Sequence, residues 1–453
     1  MINTLYLPEI REMLAEQDSA QLQEFCTALH PARTAEFMEG LTPDECWGVL
    51  RHAESEVRKE IFSYLDIEYQ LEILQTQNRD ELAELIAELA ADDRVDILNE
   101  LDESIVTDLL SRIPTEERRD ILRLRQYPEG TAGAVMTTEF ATLVETLTVR
   151  EALDQLSQQT AEFETIYYLY IVDDDNQLRG LVSARQLVAS IRRPEIQMGD
   201  LMETDIVAVT TMDDQEEVAK KVAKLDLLAI PVLDAERHIV GIITHDDVID
   251  VVQEEATEDA HRIAAVDPLD ESYLKTQLLT LSWKRGIWLG ILFLCALLTA
   301  FALQQYDERL EMWAWLVPFI PLVISSGGNS GSQSATLIIT ALARGHVTLR
   351  DWWRVVLREL LMGAILGGAL GILGFAVAFA FVDPAQLGWS ALFVVPITLF
   401  LVVISGTLTG SILPLVFQRL GWDPAMMSNP FVAGIIDILG IVIYMNVAIF
   451  LLL

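Results

Sequence analysis

The sequence predicts a multidomain membrane protein: an all-α helical superhelix N domain, an α/β domain pair, a long connecting helix, and an α-helical transmembrane domain of five spans. Three observations carry that prediction. Charge is segregated: the 453-residue chain has a net charge of −37, yet residues 1–274 hold 22 basic and 60 acidic side chains while residues 275–453 hold 9 and 8. Hydrophobic residues make up 51% of the chain, too many for an acidic disordered polymer, so an acidic, water-soluble head precedes an apolar domain. The pattern also changes near residue 130, from short helices with apolar residues three and four apart to alternating helices and strands. Lastly, one segment recurs later in the chain. The expected boundaries are 1–130, 131–250 (in two copies, about 134–195 and 196–250), 245–275 and 276–453.

Composition excludes several functions. An acidic head repels phosphates, so nucleic acid is not a partner. Cys26, Cys46 and Cys295 share no redox or metal-ligand spacing and are expected to be reduced core thiols facing a cytosol. The six histidines are scattered, with no zinc-type cluster. No nucleophile–base pair stands out, so the chain is not read as an enzyme. The start, MINTLYLPEIREML, has neither a basic opening nor a clean apolar run, so no signal peptide is expected and the head is not exported.

Residues 7–127 read as short amphipathic helices such as DELAELIAELAADDRVDILNEL, recurring every twenty residues or so like a small solenoid. Asp92-Asp93, Asp102 and Thr115 are expected caps, and Pro31, Pro43 and Pro114 expected first-turn residues. Glu60, Asp66, Glu68 and Asp93 could be cation ligands, although solvated helix faces account for single acids equally well.

After Pro128-Glu129-Gly130-Thr131-Ala132-Gly133 the pattern becomes a repeat: a Met-x-Thr loop, helix, strand, acidic turn, strand, helix. Its copies begin at Met136-Thr137-Thr138 and Met202-Glu203-Thr204. This repeat resembles a tandem CBS-domain pair over about 134–250. Such pairs often bind adenine nucleotides through a Ser or Thr and an Asp three residues later. Thr244 and Asp247 keep that spacing, whereas Ser183 is followed by Gln186. The alternative use of Asp246, Asp247 and Asp250 is cation binding.

A helix is expected from His245 to about Val266. Its pairs Glu254/Glu258 and Glu255/Asp259 stack like charges one turn apart, which destabilises a helix unless something neutralises them. It reads either as a solvated linker or as a joint that depends on divalent cations.

Five apolar stretches follow, at about 286–303, 313–343, 355–382, 390–417 and 430–453, each near the length a bilayer needs. Lys275, Lys284, Arg285, Arg344, Arg350, Arg354, Arg358 and Arg419 fall on one side and Arg309 on the other. The head is therefore expected in the cytosol and the C-terminus outside. The second stretch, interrupted by Pro318 and Pro321, carries Ser325-Ser326-Gly327-Gly328-Asn329-Ser330-Gly331-Ser332-Gln333-Ser334. Polar backbone at membrane depth is tolerated against protein or a water-filled path, so close packing and a pore lining both remain open, and Asn329 and Gln333 favour the lining. Gly363, Gly367 and Gly371 in the third stretch give a packing stripe with no chemistry assigned. After Asp423 the sole acid or base, Tyr444 aside, is Asp437, inside an apolar run. An intramembrane acid is functional by default. No basic residue is placed to pair with it, which leaves a cation, or a proton and a neighbouring helix. Carboxylates, amides and water suit a hard ion such as magnesium, and two-fold symmetry would double one carboxylate per chain.

The order of segments, Gly327-Gly328-Asn329-x-Gly331-x-Gln333, and Asp423-Pro424-Ala425 before Ser428-Asn429-Pro430-Phe431-Val432 and Asp437 together resemble the MgtE family of magnesium channels over essentially the whole chain. The resemblance implies a homodimeric, magnesium-selective channel in the cytoplasmic (inner) membrane, with the second and fifth spans lining the pore. Asp437 would be the ion-binding acid, Asn329 and Asn429 the polar lining beside Gly328 and Ala433, and Asp423 the cytoplasmic mouth. It further implies closure by regulatory Mg2+, with candidate ligands Asp214, Glu216, Asp226, Asp246, Asp247, Asp250, Glu255, Glu258, Asp259, Glu60 and Asp93. ATP at the CBS pair, through Thr244 and Asp247, modulates some members. Ala433-Gly434 departs from the hydroxyl-bearing pair of many members, which points to a looser ion preference. The rivals are a secondary transporter coupled to H+ or Na+ with Asp437 as coupling carboxylate, and a CBS-gated transporter of another cationic solute.

Overall fold

The computed structural model describes residues 6–159, 163–269, 273–274 and 276–453; Lys275 lies outside them. It divides into two compact units, Met1–Val252 and Gln253–Leu453.

Among the described residues, ten short helices open the first unit: α1 Leu7–Glu16, α2 Ser19–Ala28, α3 Pro31–Met38, α4 Pro43–Leu50, α5 Ser55–Ser63, α6 Ile67–Thr76, α7 Arg79–Glu88, α8 Ala91–Asn99, α9 Glu103–Arg112 and α10 Thr115–Leu124. Each starts twelve residues after the one before, so the recurrence is not the expected twenty. Helix α3 packs on α5, α5 on α7 and α7 on α9, while α4, α6, α8 and α10 pair in the same way. The packing unit is therefore two helices and twenty-four residues. Helices this short are marginal alone, and burial of Leu22, Met38, Trp47, Phe62, Ile73, Leu85 and Leu98 in one core holds them. Cys26 and Cys46 lie in that core, as expected.

Pro31 and Pro43 do occupy first turns, and Thr42 closes a capping box with Glu45. Other expected starts differ. Asp92 and Asp93 are not caps: Ala90 caps α8 and they fill its first turn, where acids favour the helix dipole. Pro114 is itself the cap of α10 and Thr115 its first residue. Asp102 stands at the cap of α9 without making a side-chain capping bond.

Two α/β copies follow. The first has β1 Phe140–Val144, α11 Val149–Gln159, β2 Thr165–Val172, β3 Leu178–Ser183 and α12 Ala184–Ala189. After a single turn, α13 Met198–Leu201, the second has β4 Val209–Thr210, α14 Gln215–Leu225, β5 Ala229–Leu233, β6 Ile239–Thr244 and α15 His245–Ile263. Both sheets pair their first two strands parallel, across a helix, and the last two antiparallel, across a turn. The repeated Met-x-Thr has a physical reason. Thr137 pairs with Ile242 and Glu203 with Leu181, so each copy's leading segment adds to the other's sheet. Met136 covers Gly241 and Met202 covers Gly180, where a Cβ would stand 2.6 and 2.5 Å from the methionine sulfurs. Helix α15 ends at Ile263, three residues short of Val266, and Ala265 beyond it has φ +60°.

The second unit contains α16 Leu278–Gln304, α17 Asp307–Met312, α18 Ile320–Ala343, α19 Trp352–Phe381, α20 Pro384–Leu387, α21 Ala391–Arg419 and α22 Asn429–Leu452. Among the described residues four helices, α16, α19 with its leading turn, α21 and α22, are long and apolar enough to cross a membrane. Five were expected. The polar run removes α18 from that group, although it spans 24 residues. The stretch 313–343 also divides: Pro318 lies in a 3-10 turn, and Pro321 in the first turn of α18, where its missing N–H costs nothing. The glycine stripe of α19 does pack: a Cβ at Gly367 would lie 2.9 Å from the Phe400 carbonyl of α21. On its other side α21 meets α18, with Gly410 against the Gly331 carbonyl.

Candidate functional site

Asp437 lies half-buried in the middle of α22. Across from it on α18 is Gly328, where a Cβ would stand 3.3 Å from Ala433 Cβ and 3.7 Å from Asp437 Oδ1. Three sequence-predicted residues are thus brought together, with a glycine keeping the space beside the carboxylate clear. Among the described residues no hydrogen bond or ion pair engages the Asp437 carboxylate. Asn329, next along α18, is exposed and donates to Ser325 Oγ at 3.2 Å. Asn429 begins α22 and ties it to α18: its Oδ1 accepts from Thr336 Oγ1 at 3.1 Å, and its backbone carbonyl from Ser332 Oγ at 3.1 Å.

Asp423 caps the turn before α22, accepting from the Ala425 N–H at 2.8 Å. It also makes an ion pair with Arg262, in the last turn of α15, and Arg262 pairs in turn with Glu258. Ile263 beside it packs against the apolar core of this unit. Arg262 was missed in the sequence, where the acids of this helix drew attention. The signal was there: it follows His261 as the helix's arginine, at the dipole's negative end.

In the first unit, acids from three places converge. Asp246, Asp247 and Asp250 come from the start of α15, Asp92 and Asp93 from α8, and Glu139 and Glu164 flank β1 and β2. Burial pushes the Asp92 carboxyl up, and the charges of Asp247, Asp93 and Glu164 add to it. Asp93 is raised by burial, against a 3.2 Å hydrogen bond from Ser63, with Asp250 and Asp246 contributing. Asp247 is pushed up to about 6 by burial, then by Asp246 and Asp93, against its hydrogen bonds from Thr244. Burial and four neighbouring acids take Glu164 to about 7. Glu139 is also raised by burial despite its ion pair with Arg94. Asp92 Oδ1 is buried without a hydrogen-bond partner. Hard oxygen ligands in mutual repulsion, one of them unsatisfied, are the donor set a divalent cation would neutralise. Asp92 was read in the sequence as a helix cap rather than a ligand, and Glu139 and Glu164 were not singled out, since they stand far along the chain from Asp92 and from the start of α15.

Other candidates are not gathered here. Asp214 caps the start of α14, and Asp226 ends it in a left-handed conformation with φ +52°. Twelve positions apart on the helix, they lie roughly 18 Å apart along the axis, too far to share one ion within a chain. Glu216 pairs with Lys220 at 3.0 Å. Glu60 is exposed on α5, one turn before Ser63. Glu255 and Asp259 lie on the second half of α15. Thr244 and Asp247 bond each other: the Thr244 N–H donates to Asp247 at 3.2 Å and its hydroxyl also donates there. Ser183 and Gln186 do the same in the first copy. The three-residue spacing thus has a helix-capping role in both copies, and Gln186 departs from the acid without losing it.

These features agree with known proteins. Residues 320–447 match the family pattern described as divalent cation transporter, MgtE; residues 29–130 match the MgtE intracellular N domain; and 132–193 and 198–254 match the CBS domain. The magnesium transporter MgtE of Thermus thermophilus is 37% identical over 451 residues, 97% of each chain. The chain belongs to the MgtE family. The Enterococcus faecalis magnesium transporter MgtE is 33% identical, over 96% of this chain and 95% of that one. Among solved structures, the soluble part of a magnesium transporter superposes with a TM-score of 0.52 at 34% identity, covering 55% of this chain and 97% of that one. The cytosolic domain of the Mg2+ channel MgtE in complex with ATP gives 0.50 at 34% identity, covering 53% and 98%. The chain is thus a magnesium transporter of the MgtE family, with a helical N domain, a CBS pair and apolar transmembrane helices.

Proposed function

We propose that this MgtE chain forms a homodimeric, magnesium-selective channel in the cytoplasmic membrane, closed when cytosolic Mg2+ binds its acidic head. The observation that carries the reading is Asp437, a carboxylate midway along an apolar helix, backed by Gly328 and Ala433 and without a partner among the described residues. Mg2+ dehydrates reluctantly and keeps several waters, so a small-residue surround that leaves room for a water shell suits it. A single carboxylate is a weak divalent site, and a two-fold axis supplies the second. In this reading five helices, α16, α18, α19, α21 and α22, cross the bilayer, α18 and α22 line the path, and the N-terminal domains lie in the cytosol with the C-terminus outside. The domains are 1–130, 131–250, the connecting helix 245–275, and 276–453.

The regulatory ligands are Asp93, Asp246, Asp247 and Asp250, joined by Asp92, Glu139 and Glu164. Asp214, Glu216, Asp226, Glu255 and Asp259 serve only where a second copy completes them. Carboxylates closer than about 8 Å are poorly screened at physiological salt, so the head resists compaction until divalent ions bridge it. Mg2+ therefore favours the compact state by population shift. Helix α15 carries three of these acids in its first two turns and, in its last, Arg262 on Asp423 at the proposed mouth. ATP at the CBS pair, by analogy with the ATP-bound cytosolic domain, adjusts this balance.

The test is Mg2+ flux into proteoliposomes under an imposed potential, comparing parent and Asp437→Ala. Parent flux that needs no proton or sodium gradient, lost in a variant with unchanged size-exclusion behaviour, supports the reading. Flux surviving in the variant removes Asp437 from the path. The second reading, exchange coupled to H+ or Na+, draws on a further buried acid, Glu359, and predicts flux that follows the pH or sodium gradient.

A further inference from the structure

Glu359 is the intramembrane carboxylate that the proposed ion path does not use. The sequence reading passed over it, because it sits inside the apolar stretch 355–382 just after Arg358. It lies two turns into α19 and is 9% exposed. Ser334 of α18 donates to its Oε2 at 2.6 Å, and Thr407 of α21 donates to its backbone carbonyl at 3.2 Å. One residue therefore joins three helices. An acid in such a place is expensive and is retained for a function by default.

Its position relative to α18 suggests which function. The half of α18 that ends at Ala343 is tied on one side to Asn429 through Ser332 and Thr336. On the other side it is tied to α19 through Ser334, whereas the Ser330 hydroxyl one turn earlier is buried with no hydrogen-bond partner. Beyond Ser330 come Gly328, which faces Ala433 and Asp437 of α22, and Gly327, which faces Ile436 of α22 and Val402 of α21. Glycine–serine segments are where helices bend most readily. Among the described residues, α18 thus has a half tied to its neighbours by side-chain hydrogen bonds and, at Asp437, a glycine–serine segment held to them by packing alone.

We propose that Glu359 is a positioning residue for Mg2+ passage: through Ser334 it fixes the lower half of α18 to α19 and α21. Displacement of α22 is then taken up at Gly327-Gly328, which sets the width beside Asp437. This rests on the Asp437 path proposed above.

Flux into proteoliposomes is measured for the parent, Glu359→Ala, Ser334→Ala, the double variant and Glu359→Gln, with Asp437→Ala as control. Glu359→Ala and Ser334→Ala each lower flux at saturating Mg2+ by about tenfold, the scale of losing one buried hydrogen bond between polar partners. The half-saturating Mg2+ concentration, set at Asp437, stays within about twofold, and the double variant is no worse than either single one. Glu359→Gln restores most of the flux, because an amide oxygen still accepts from the Ser334 hydroxyl. Glu359→Gln as inactive as Glu359→Ala overturns the proposal, since the charge itself would then be needed. Parent-like Ser334→Ala overturns it too. If Glu359→Ala does not fold, Ser334→Ala and Glu359→Gln decide the matter alone. Normal flux in Asp437→Ala would refute the path reading instead, and parent-like Ser334→Ala beside an inactive Asp437→Ala refutes only this one.

Discussion

Replacing Asp247 by asparagine should make the head more stable without Mg2+ and less responsive to it. The carboxylate is pushed up to about 6, chiefly by burial and then by Asp246 and Asp93. That is about two pH units above an ordinary aspartate, or ~3 kcal/mol if fully felt. Asp247 is only partly buried, so solvent screening reduces the figure to ~1–2 kcal/mol. The sign follows from proton linkage. Between about pH 4 and pH 6 the folded state keeps a proton that the unfolded state has released, so stability falls as pH rises through that window. Above it the whole penalty is present. Asparagine removes the charge yet keeps an oxygen that can accept from the Thr244 N–H and hydroxyl, so the helix cap survives. For a unit of this size 1–2 kcal/mol raises the melting temperature by about 2–6 °C. The assay is thermal unfolding of the full chain in detergent, with chelator and with Mg2+, across pH. The gain should be greatest near neutral pH in chelator, shrink toward pH about 4, and be offset by a smaller Mg2+-induced rise. A variant that melts lower than the parent in chelator at neutral pH, or keeps the parent's full Mg2+ response, would refute the reasoning.

Arg262→Gln leaves Asp423 and Glu258 without their shared cation. All three groups are about a third exposed, so the loss is ~1 kcal/mol at most, and the Mg2+ concentration that half-closes the proposed channel should rise about two- to fivefold; flux against internal Mg2+ reads it, and an unshifted curve removes the ion pair from the proposed gating. Gly328→Ala puts a methyl 3.3 Å from Ala433 Cβ and 3.7 Å from Asp437 Oδ1, so flux should fall while the protein still purifies as a single species. Gly410→Ala drives a methyl into the Gly331 carbonyl, an overpacking cost of about 1–3 kcal/mol or more. Its expected result is lost yield or a lower melting temperature, and equal stability of these two variants would contradict the helix packing.

Much of this architecture was legible because its signals are local. A proline in the first turn marks the starts of α3 and α4, and a polar run in an apolar stretch marks α18. The Met-x-Thr repeat marks two copies before any strand is assigned, although its reason, a methionine covering the other copy's glycine, needs the sheets. The helical period was misjudged because one apolar stripe of a short helix looks like half of a longer one; only the packing of each helix on its second neighbour separates twelve residues from twenty-four. The group of carboxylates around Asp92 was legible only in part: the family resemblance named Asp93, Asp246, Asp247 and Asp250, but Asp92, Glu139 and Glu164 join them from α8 and the flanks of two strands by folding alone. Glu359 was illegible for a different reason: averaged hydropathy hides a single acid in a 30-residue apolar helix.

On the proposed path, Asp437 and Asp423 would have one residue type play two parts. Asp437 has no partner to displace among the described residues, so a cation reaching it would gain the whole attraction, and an intramembrane acid left bare is costly. Asp423 already has a tethered cation in Arg262. Two unit charges about 4 Å apart attract by ~4 kcal/mol at an effective dielectric near 20, but partial exposure and side-chain entropy leave a net ~1 kcal/mol or less. A strap that weak can be released and remade. Moving a population from mostly closed to mostly open takes about 5.5 kcal/mol, several times what the strap supplies. The remainder has to come from a group of like charges whose repulsion Mg2+ can cancel in bulk, and the carboxylates around Asp92 and Asp247 are of that kind. In the proposed mechanism, gating by many weak electrostatic contacts, with a single uncompensated acid kept for the ion itself, would account for a head that carries all of the chain's excess negative charge.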